Sequence, residues 1–326
     1  MKQLLVTGGC GFIGSNFIRY FLNKRPDWGV LNLDKLSYSG NPANLRDLKS
    51  SSHYQFIKGD ITDKKIVLKL MKKASAVVHF AAETHVDRSI ESADDFLKTN
   101  ILGTSTLLEA SLACGIKRFV HMSTDEVYGS IAKGYATEDA PLLPNSPYSA
   151  SKAGADLLVR SFQETFDHPA MIVRCTNNYG PYQFPEKVIP LFVTNLLENK
   201  TVPLYGNGLN RRDWIYVEDA CQALFRVLEK GRPGEIYNIG AHHEMSNLEL
   251  THAILRHFKK GKEMIRPVAD RLGHDLRYAV NFNKLKKLGF KLRWSFDKGL
   301  EATATWYREN PQWWKPLKHD KYTVKS

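Results

Sequence analysis

The stretch KQLLVTGGCGFIG, residues 2–14, decides the fold. Its first half is an apolar run typical of a buried parallel strand, and a helical pattern follows. Gly8, Gly11 and Gly14 make a Gly-x-x-Gly-x-x-Gly variant of the dinucleotide fingerprint, whose glycines permit a tight turn and close approach of the backbone to a pyrophosphate. We therefore expect a dinucleotide to rest its phosphates on the N-terminus of the helix.

The second apolar run, Val30 to Leu33, indicates which dinucleotide is bound. It ends in Asp34, about 20 residues past the last glycine, where the fingerprint places an acidic residue. A carboxylate there suits the free ribose 2′-hydroxyl of NAD and repels a 2′-phosphate. Lys35 leaves NADP open as the less favoured cofactor. A glycine turn without a ligand is the competing interpretation, which the order of strand, glycines, helix and acidic residue disfavours.

Further strand-like runs alternate with amphipathic helical stretches along the first 180 residues. The runs 54–58, 76–80, 118–122 and 171–175 each lead into a polar motif. This alternation predicts an α/β protein with a doubly wound parallel sheet of the Rossmann type. Because ligands collect at the carboxyl ends of the strands in such sheets, the polar motifs are candidate site residues.

The second half of the chain is richer in Pro, aromatic and basic residues. Arginine suits diphosphate oxygens and aromatic rings suit a nucleobase, although each cluster taken alone is also compatible with ordinary surface loops. We predict an NAD-binding Rossmann domain over residues 1–180, with residues 213–241 returning to it. Residues 181–212 and 242–326 then form a smaller C-terminal α/β domain that binds a sugar nucleotide.

Two short motifs carry the chemistry. STDEVYG begins at Ser123, and a Tyr-x-x-x-Lys pair follows at Tyr148 and Lys152, which lie on one helix face. A nearby ammonium favours the phenolate, so the tyrosine becomes a usable base for oxidising an alcohol. Asp125 and Glu126 add a second acid and base, which suggests that something is also eliminated.

Composition excludes several classes of protein. With 326 residues, 43% of them hydrophobic, the chain can bury a full core as one large or two smaller domains. We find no apolar run long enough for a membrane span and no cleavable leader, so we expect a cytoplasmic protein. The formal charge is +12, but the basic residues are scattered, and we expect no nucleic-acid binding. The four cysteines lack metal-like spacing, so free thiols and no metal are expected.

These motifs resemble those of the extended short-chain dehydrogenase/reductase family and, within it, the dTDP-glucose 4,6-dehydratases, nearly end to end. The Asp-Glu pair after Thr124 discriminates, because relatives that epimerise or decarboxylate nucleotide sugars usually lack it. Two departures are Thr84, where the family commonly has Ser, and Leu276, where a second basic residue is common. The motifs that carry the resemblance are TGGCGFIG (7–14), LDKLSYSGN (33–41), AAETHVDRSI (81–90), STDEVYG (123–129), SPYSASK (146–152), NNYGPYQFPEKVIPL (177–191), RDWIYVED (212–219) and DRLGHDLRYAV (270–280).

The resemblance implies dehydration of dTDP-glucose to dTDP-4-keto-6-deoxyglucose at no net redox cost. Tyr148 would take the C4 hydroxyl proton while hydride moves from C4 to NAD. Lys152 would lower the tyrosine pKa and hold the nicotinamide ribose, and Thr124 would hydrogen-bond the C4 oxygen. Glu126 would then remove the C5 proton and Asp125 would protonate the departing C6 hydroxyl, before hydride returns to C6. Asp125 must therefore start protonated and Glu126 ionised.

The resemblance also implies two sets of ligand-binding residues and a homodimer built from helices near 100–113 and 148–166. The set for NAD is Gly8, Gly11, Phe12, Ile13, Gly14, Asp34, Lys35, Ser37, Asp60, Ile61, Ala81, Ala82, Thr99 and Asn178. The set for the dTDP-sugar substrate is Thr84, Asn177, Glu186, Lys187, Arg212, Asn247, Arg271, His274 and Tyr278.

Two other functions compete with this interpretation. A UDP-glucose 4,6-dehydratase or a nucleotide-sugar 4-epimerase would use the same scaffold, and base selectivity rests on few contacts. A catalytically silent NAD-binding regulator is the second alternative. The complete set formed by Tyr148, Lys152 and the two carboxylates disfavours it.

Overall fold

The structure is a computed structural model that describes residues 1–270 and 272–318. Its strands are short, apolar runs that alternate with helices, as the sequence pattern predicts. In chain order they are β1 (Lys2–Thr7), β2 (Trp28–Asp34), β3 (Tyr54–Lys58), β4 (Ala76–His79), β5 (Phe119–Thr124), β6 (Ala170–Cys175), β7 (Asn177–Tyr179), β8 (Val202–Tyr205), β9 (Arg211–Tyr216), β10 (Ile236–Ile239), β11 (Glu244–Ser246) and β12 (Ile265–Val268).

The main sheet is parallel and doubly wound, which confirms the predicted fold class. Its strand order is β10-β6-β5-β4-β1-β2-β3, and every neighbouring pair runs parallel. The chain winds outward from β1 to β3 and then crosses back to β4, so the direction of winding reverses between β1 and β4. Thr7 pairs with Leu33 and with His79, which brings three strand ends to one level. Ligands of such sheets bind in the crevice at this reversal.

Helices cover both faces of the main sheet. Successive residues of β1 alternate between the two cores, since Leu4 packs with Phe17 and Leu224 while Leu5 packs with Leu107. Among the described residues, no helix has the length and apolarity needed to cross a bilayer. The helices are α1 (Phe12–Lys24), α2 (Lys64–Met71), α3 (Val86–Glu91), α4 (Asp94–Phe96), α5 (Thr104–Ala113), α6 (Pro147–Phe166), α7 (Val188–Leu197), α8 (Val217–Lys230), α9 (Asn247–His257), α10 (Asn283–Lys287), α11 (Phe296–Glu309) and α12 (Pro311–Trp314), with a π-helix at Leu97–Gly103 and 3₁₀ helices at Pro42–Leu48, Asp125–Tyr128, Lys262–Met264 and Lys315–Leu317.

Helix α6 begins at a capping box. Ser146 Oγ accepts a hydrogen bond from Ser149 N at 3.1 Å, and Ser149 Oγ accepts one from Ser146 N at 3.0 Å. Pro147 occupies the first helical position, where its missing N–H costs nothing. The first turn therefore holds Tyr148, and Lys152 follows one turn later on the same face.

The C-terminal part adds two small sheets, β11-β9-β7 and β12-β8. Tyr179, Trp214 and Leu250 share a second core there with α7, α9 and α11. Strand β10 returns to the edge of the main sheet, and Phe282 and Phe290 pack into the same core as α1. The predicted domain boundaries stay a prediction.

Candidate active site

A pocket of about 290 Å³ lies at the carboxyl ends of β1, β2, β4, β5 and β6, where the winding of the sheet reverses. Its position is the one that doubly wound sheets reserve for ligands. Most of the predicted cofactor residues form part of its wall. They are Gly8, Gly11, Phe12, Ile13, Gly14, Asp34, Lys35, Ser37, Ile61, Ala81, Ala82, Thr99 and Asn178.

The turn between β1 and α1 has no room for side chains. Gly8 has a φ of +71°, and a Cβ there would lie 2.6 Å from Ala81 N. A Cβ on Gly14 would lie 2.5 Å from Gly8 O, so α1 packs directly on the turn. Gly11 caps α1 without a side-chain hydrogen bond. Helix N-termini of this kind bind phosphate through their first-turn N–H groups, so the cradle fits the diphosphate of a dinucleotide.

Asp34 ends β2 on the pocket wall and is 7% exposed. Its Oδ2 accepts a hydrogen bond from Cys10 N at 2.8 Å and its Oδ1 accepts one from Leu36 N at 2.8 Å. The backbone thus fixes the carboxylate in one orientation. Lys35 Nζ lies 3.2 Å from Glu83 Oε1. Because Glu83 neutralises Lys35, the arrangement favours a free ribose hydroxyl over a 2′-phosphate, and therefore NAD over NADP.

The five predicted catalytic residues lie together. Strand β5 ends at Thr124 and runs into a short 3₁₀ helix, which Thr124 caps by accepting a hydrogen bond from Glu126 N at 3.3 Å. These two residues line the pocket together with Tyr148 and Lys152 of α6. Asp125 is 3% exposed, and Thr124 Oγ1 donates a hydrogen bond to its Oδ1 at 3.4 Å. The end of β5, the 3₁₀ helix and the first turns of α6 therefore bring the five predicted catalytic residues together, and we call this set the catalytic group.

The two carboxyl groups have different surroundings. Burial, together with the charge of Glu126, raises the pKa of Asp125 to about 7. Glu126 is half-buried, and its Oε2 lies 3.5 Å from Tyr278 OH. Asp125 therefore keeps its proton in a large fraction of molecules at neutral pH. A buried carboxyl group that keeps its proton, next to a less buried one, suits a paired acid and base.

The tyrosine and the lysine are both buried, and burial shifts their pKa values in opposite directions. Burial and the charge of Glu126 raise the pKa of Tyr148 well above its ordinary value. Burial lowers the pKa of Lys152 to about 8, and its Nζ donates a hydrogen bond to Met122 O at 2.7 Å. Desolvation and the neighbouring carboxylate outweigh the influences that lower the pKa of Tyr148 in this structure, and the predicted effect of Lys152 on that pKa stays a prediction.

Comparison with known proteins identifies the family. The family model described as GDP-mannose 4,6 dehydratase matches residues 5–303. A dTDP-glucose 4,6-dehydratase of Streptomyces niveus is 50% identical over 97% of this chain and 96% of its own length. The chain belongs to the dTDP-glucose 4,6-dehydratase family. The resemblance predicted from the sequence motifs is thereby confirmed.

Two further proteins are similar to this chain to about the same degree. The low-salt glycan biosynthesis protein Agl12 of Haloferax volcanii is 52% identical, over 94% of this chain and 98% of that protein. The crystal structure of DesIV, a dTDP-glucose 4,6-dehydratase from Streptomyces venezuelae with NAD and TYD bound, superposes with a TM-score of 0.95. The match has 51% identity and covers 97% of this chain and 100% of that chain.

Several predicted substrate residues of this dehydratase family member lie at the pocket. Thr84, Asn177 and Lys187 line its wall. The side chain of Glu186 is 3% exposed, and its Oε2 lies 3.6 Å from His85 Nε2. Burial raises the pKa of Glu186. This end of the pocket therefore offers a hydroxyl, an amide and an amine to a ligand, with the Glu186 carboxyl buried behind them.

Arg212 and Tyr278 form a unit next to the carboxylates. The Arg212 guanidinium lies 4.1 Å from the centroid of the Tyr278 ring and donates a hydrogen bond to Asp275 O at 2.9 Å. Tyr278 OH donates to Asp275 Oδ2 at 2.7 Å and reaches Glu126 at 3.5 Å. The unit lies beside Glu126, and its predicted contact with the substrate stays a prediction.

Besides Asp125, Glu186, Arg212 and Tyr278, three further predicted site residues that the structure describes do not line the pocket. The Asp60 carboxylate accepts hydrogen bonds from the backbone N–H and the hydroxyl of Thr62, so it is bound within its own loop. Asn247 begins α9, and the His274 ring lies 2.7 Å from Asp270 Oδ1. Their binding roles stay predictions. Arg271 lies outside the described residues.

The sequence analysis does not select Tyr38, which the structure places on the pocket wall. Its OH lies 3.4 Å from Thr84 Oγ1, and its ring centroid lies 5.8 Å from that of Phe184. The Arg88 guanidinium stacks 3.8 Å from the Tyr38 ring centroid. The available signal was an aromatic residue inside the motif that begins with Leu33 and Asp34.

Proposed function

We propose that this protein converts dTDP-glucose to dTDP-4-keto-6-deoxyglucose, with NAD as its cofactor. The observation that carries the proposal is the convergence of Thr124, Glu126, Tyr148 and Lys152 on one pocket, with Asp125 buried directly behind Thr124 and its pKa raised to about 7. With NAD as the hydride acceptor, the tyrosine and the lysine are the only side chains that an alcohol oxidation needs. A protonated acid next to a second carboxyl group adds what the loss of water requires.

The residues divide the reaction between them. Tyr148 takes the proton from the C4 hydroxyl, and Thr124 hydrogen-bonds the C4 oxygen. The resulting ketone acidifies C5, from which Glu126 removes the proton. Asp125 protonates the C6 hydroxyl as it leaves. NAD, when bound, supplies the acceptor and donor of hydride and a positive charge that favours the phenolate of Tyr148.

The cofactor is held by the residues around the glycine turn. The first-turn N–H groups of α1 would bind its diphosphate, and Asp34 would accept hydrogen bonds from the adenosine ribose. Lys152 would hold the nicotinamide ribose. On the substrate side, Lys187 and the buried Glu186 would bind diphosphate and sugar groups at the Thr84 end of the pocket.

We also propose that the protein is a homodimer. Leu97, Leu102, Leu157 and Phe166 are 46%, 60%, 56% and 50% exposed, and all lie on the π-helix before α5 or on α6. Contiguous helices with this much exposed apolar surface are typical of a protein interface. A cytoplasmic location stays a prediction.

The test separates this function from the alternatives. The purified protein is incubated with dTDP-glucose and with UDP-glucose, and mass spectrometry follows the loss of water. Deuterium placed at C4 of the substrate should reappear in the product methyl group. A 4-epimer without loss of water would identify an epimerase, and faster turnover of UDP-glucose would reassign the base preference. Product that lacks the deuterium would overturn the mechanism.

A further inference from the structure

Helix α6 carries a third polar residue in line with Tyr148 and Lys152. Asp156 follows Lys152 by four residues and is 1% exposed, so three residues spaced by four lie on one face of the helix. The chemistry proposed above gives Asp156 no role. A buried carboxylate is costly unless its neighbours balance it, so the groups around Asp156 determine what it does.

Asp156 retains a negative charge. Arg174 Nε on β6 donates a hydrogen bond to Asp156 Oδ2 at 2.8 Å, and His121 Nε2 on β5 lies 3.5 Å from Oδ1. Burial alone would raise the pKa of Asp156, but these two neighbours hold it below its ordinary value. Burial lowers the pKa of His121 to about 4, so its ring is neutral near pH 7. Among the residues that the structure describes, Arg174 is therefore the cation that pairs with Asp156.

A second buried imidazole, that of His79 on β4, lies next to His121. His79 lies 5.2 Å from His121, between ring centroids, and its nitrogens lie 2.7 Å and 3.0 Å from the hydroxyls of Thr7 and Thr104. Burial holds the pKa of His79 well below its ordinary value. Both imidazoles are therefore neutral near pH 7 and add no charge to the surroundings of Asp156 and Lys152.

The network reaches the catalytic carboxyl groups. Arg174 Nη1 donates a hydrogen bond to Tyr128 OH at 2.9 Å and another to Glu138 O at 3.1 Å. Tyr128 OH donates in turn to Asn238 Oδ1 at 2.8 Å. Tyr128 is the last residue of the 3₁₀ helix that carries Asp125. One buried chain therefore joins α6 to that helix.

Lys152 depends on a nearby negative charge. It is 4% exposed, and burial lowers its pKa while the charge of Asp156 raises it. The carbonyl of Met122 fixes the position of the amine at 2.7 Å but carries only a dipole. Asp156 carries a full charge one helical turn away.

We propose that Asp156 is a positioning residue, whose buried charge keeps Lys152 protonated and in line with Tyr148. The inference rests on the proposed function, in which Lys152 would hold the nicotinamide ribose next to Tyr148, and it assigns that role to the protonated amine. Through Arg174 and Tyr128 the same network fixes the 3₁₀ helix, so both halves of the catalytic group share one support.

The test measures Lys152 without relying on turnover. Lysine labelled with ¹³C at Cε reports amine protonation in an NMR pH titration, and the Lys152 signal is assigned by its loss in Lys152→Met. We expect Asp156→Asn to lower the titration midpoint of Lys152 by about one pH unit or more. The alkaline limit of C4 oxidation in single turnovers should move down with it, and Asp156→Glu should restore both.

Two further variants protect the test against simple unfolding. Asp156→Asn leaves Arg174 buried without its carboxylate, so the pair Asp156→Asn with Arg174→Gln removes both charges. Asp219→Asn is the control, because Asp219 is a buried carboxylate of α8 that accepts a hydrogen bond from Arg293 N at 3.1 Å. It should leave the Lys152 midpoint unchanged.

The outcomes are distinct. An unchanged midpoint in both Asp156 variants overturns the inference, whatever their activity. An equal fall in the Asp219 control shows a general effect of destabilisation and also overturns it. If the midpoint falls but the wild-type protein dehydrates neither nucleotide sugar, the proposed function fails and the effect of Asp156 on Lys152 stands.

Discussion

Burial changes the chemistry of each reacting side chain. It raises the pKa of Asp125 to about 7 and lowers that of Lys152 to about 8. It also raises the pKa of Tyr148, so this phenol keeps its proton at neutral pH in the absence of further positive charge. Desolvation therefore keeps Asp125 protonated as the acid. The proposed base, Tyr148, would need the positive charge that NAD brings when it is bound.

Tyr148→Phe removes the proton acceptor for C4 oxidation. We expect the first step to slow by at least about 100-fold, the range for loss of a general base. Stopped-flow absorbance of reduced nicotinamide measures this step. Tyr237→Phe is the matched control, because Tyr237 is 2% exposed and its OH accepts a hydrogen bond from Arg232 N outside the pocket. Near wild-type oxidation in Tyr148→Phe would refute the assignment.

The raised pKa of Asp125 predicts how the rate of water loss depends on pH. Its pKa is raised, so the protonated acid is present below about pH 7 and is lost as the pH rises through that value. We expect water loss to slow above about pH 7, approaching tenfold per pH unit, and reduced nicotinamide to accumulate. Asp125→Asn should remove this dependence and stall elimination at every pH. A rate of water loss that is flat up to about pH 9 would contradict the role.

At the scale of elements, the β1–α1 turn is limited by backbone contacts. A Cβ at Gly14 would lie 2.5 Å from Gly8 O and 2.8 Å from Gly9 Cα, and neither atom can rotate away. At Gly154 in α6 a Cβ would meet only the tip of Ile101, at 3.0 Å. The two glycines therefore differ in what an added methyl group displaces.

Gly14→Ala should open the turn and release the cofactor. We expect the purified variant to retain little NAD and its free energy of unfolding to fall by about 1–3 kcal/mol, as in overpacked sites. Urea unfolding and the nucleotide content of denatured protein measure these effects. Gly154→Ala, in which a flexible side chain gives way, should keep its NAD. Full retention of NAD in Gly14→Ala would show that the turn is not the binding cradle.

At the scale of the whole molecule, two features extend beyond single elements. Reversal of the strand order places the ends of β1, β4 and β5 side by side, and α6 lays its Tyr148 face against them. The opposite side of α6 exposes Leu157 to solvent. One helix therefore serves the pocket and the proposed interface between subunits.

Leu157→Asp tests that interface. We expect the wild-type protein to sediment as a dimer and the variant to shift toward monomer, because a charge in an apolar interface is desolvated without a partner. Analytical ultracentrifugation measures the change. Leu209→Asp is the control, since Leu209 is 61% exposed but lies before β9. A monomeric wild-type protein, or equal dissociation in both variants, would remove the proposal.

The sequence predicts best those residues whose roles depend on neighbours a few positions away in the chain. The glycine turn, the acidic residue after β2 and the Tyr148–Lys152 spacing each follow from backbone geometry over a few residues. The order of strands and helices fixes the fold class, because only parallel winding buries such apolar runs on both faces. These features also identify the family.

What the sequence alone determined is therefore the doubly wound sheet, the family and the residue types brought to the strand ends. Tertiary structure decided the protonation of Asp125 and Tyr148, the stacking of Arg88 on Tyr38, and the network that links Asp156 to Tyr128. Desolvation and charge depend on which distant segments pack around a group, and no local pattern encodes those neighbours.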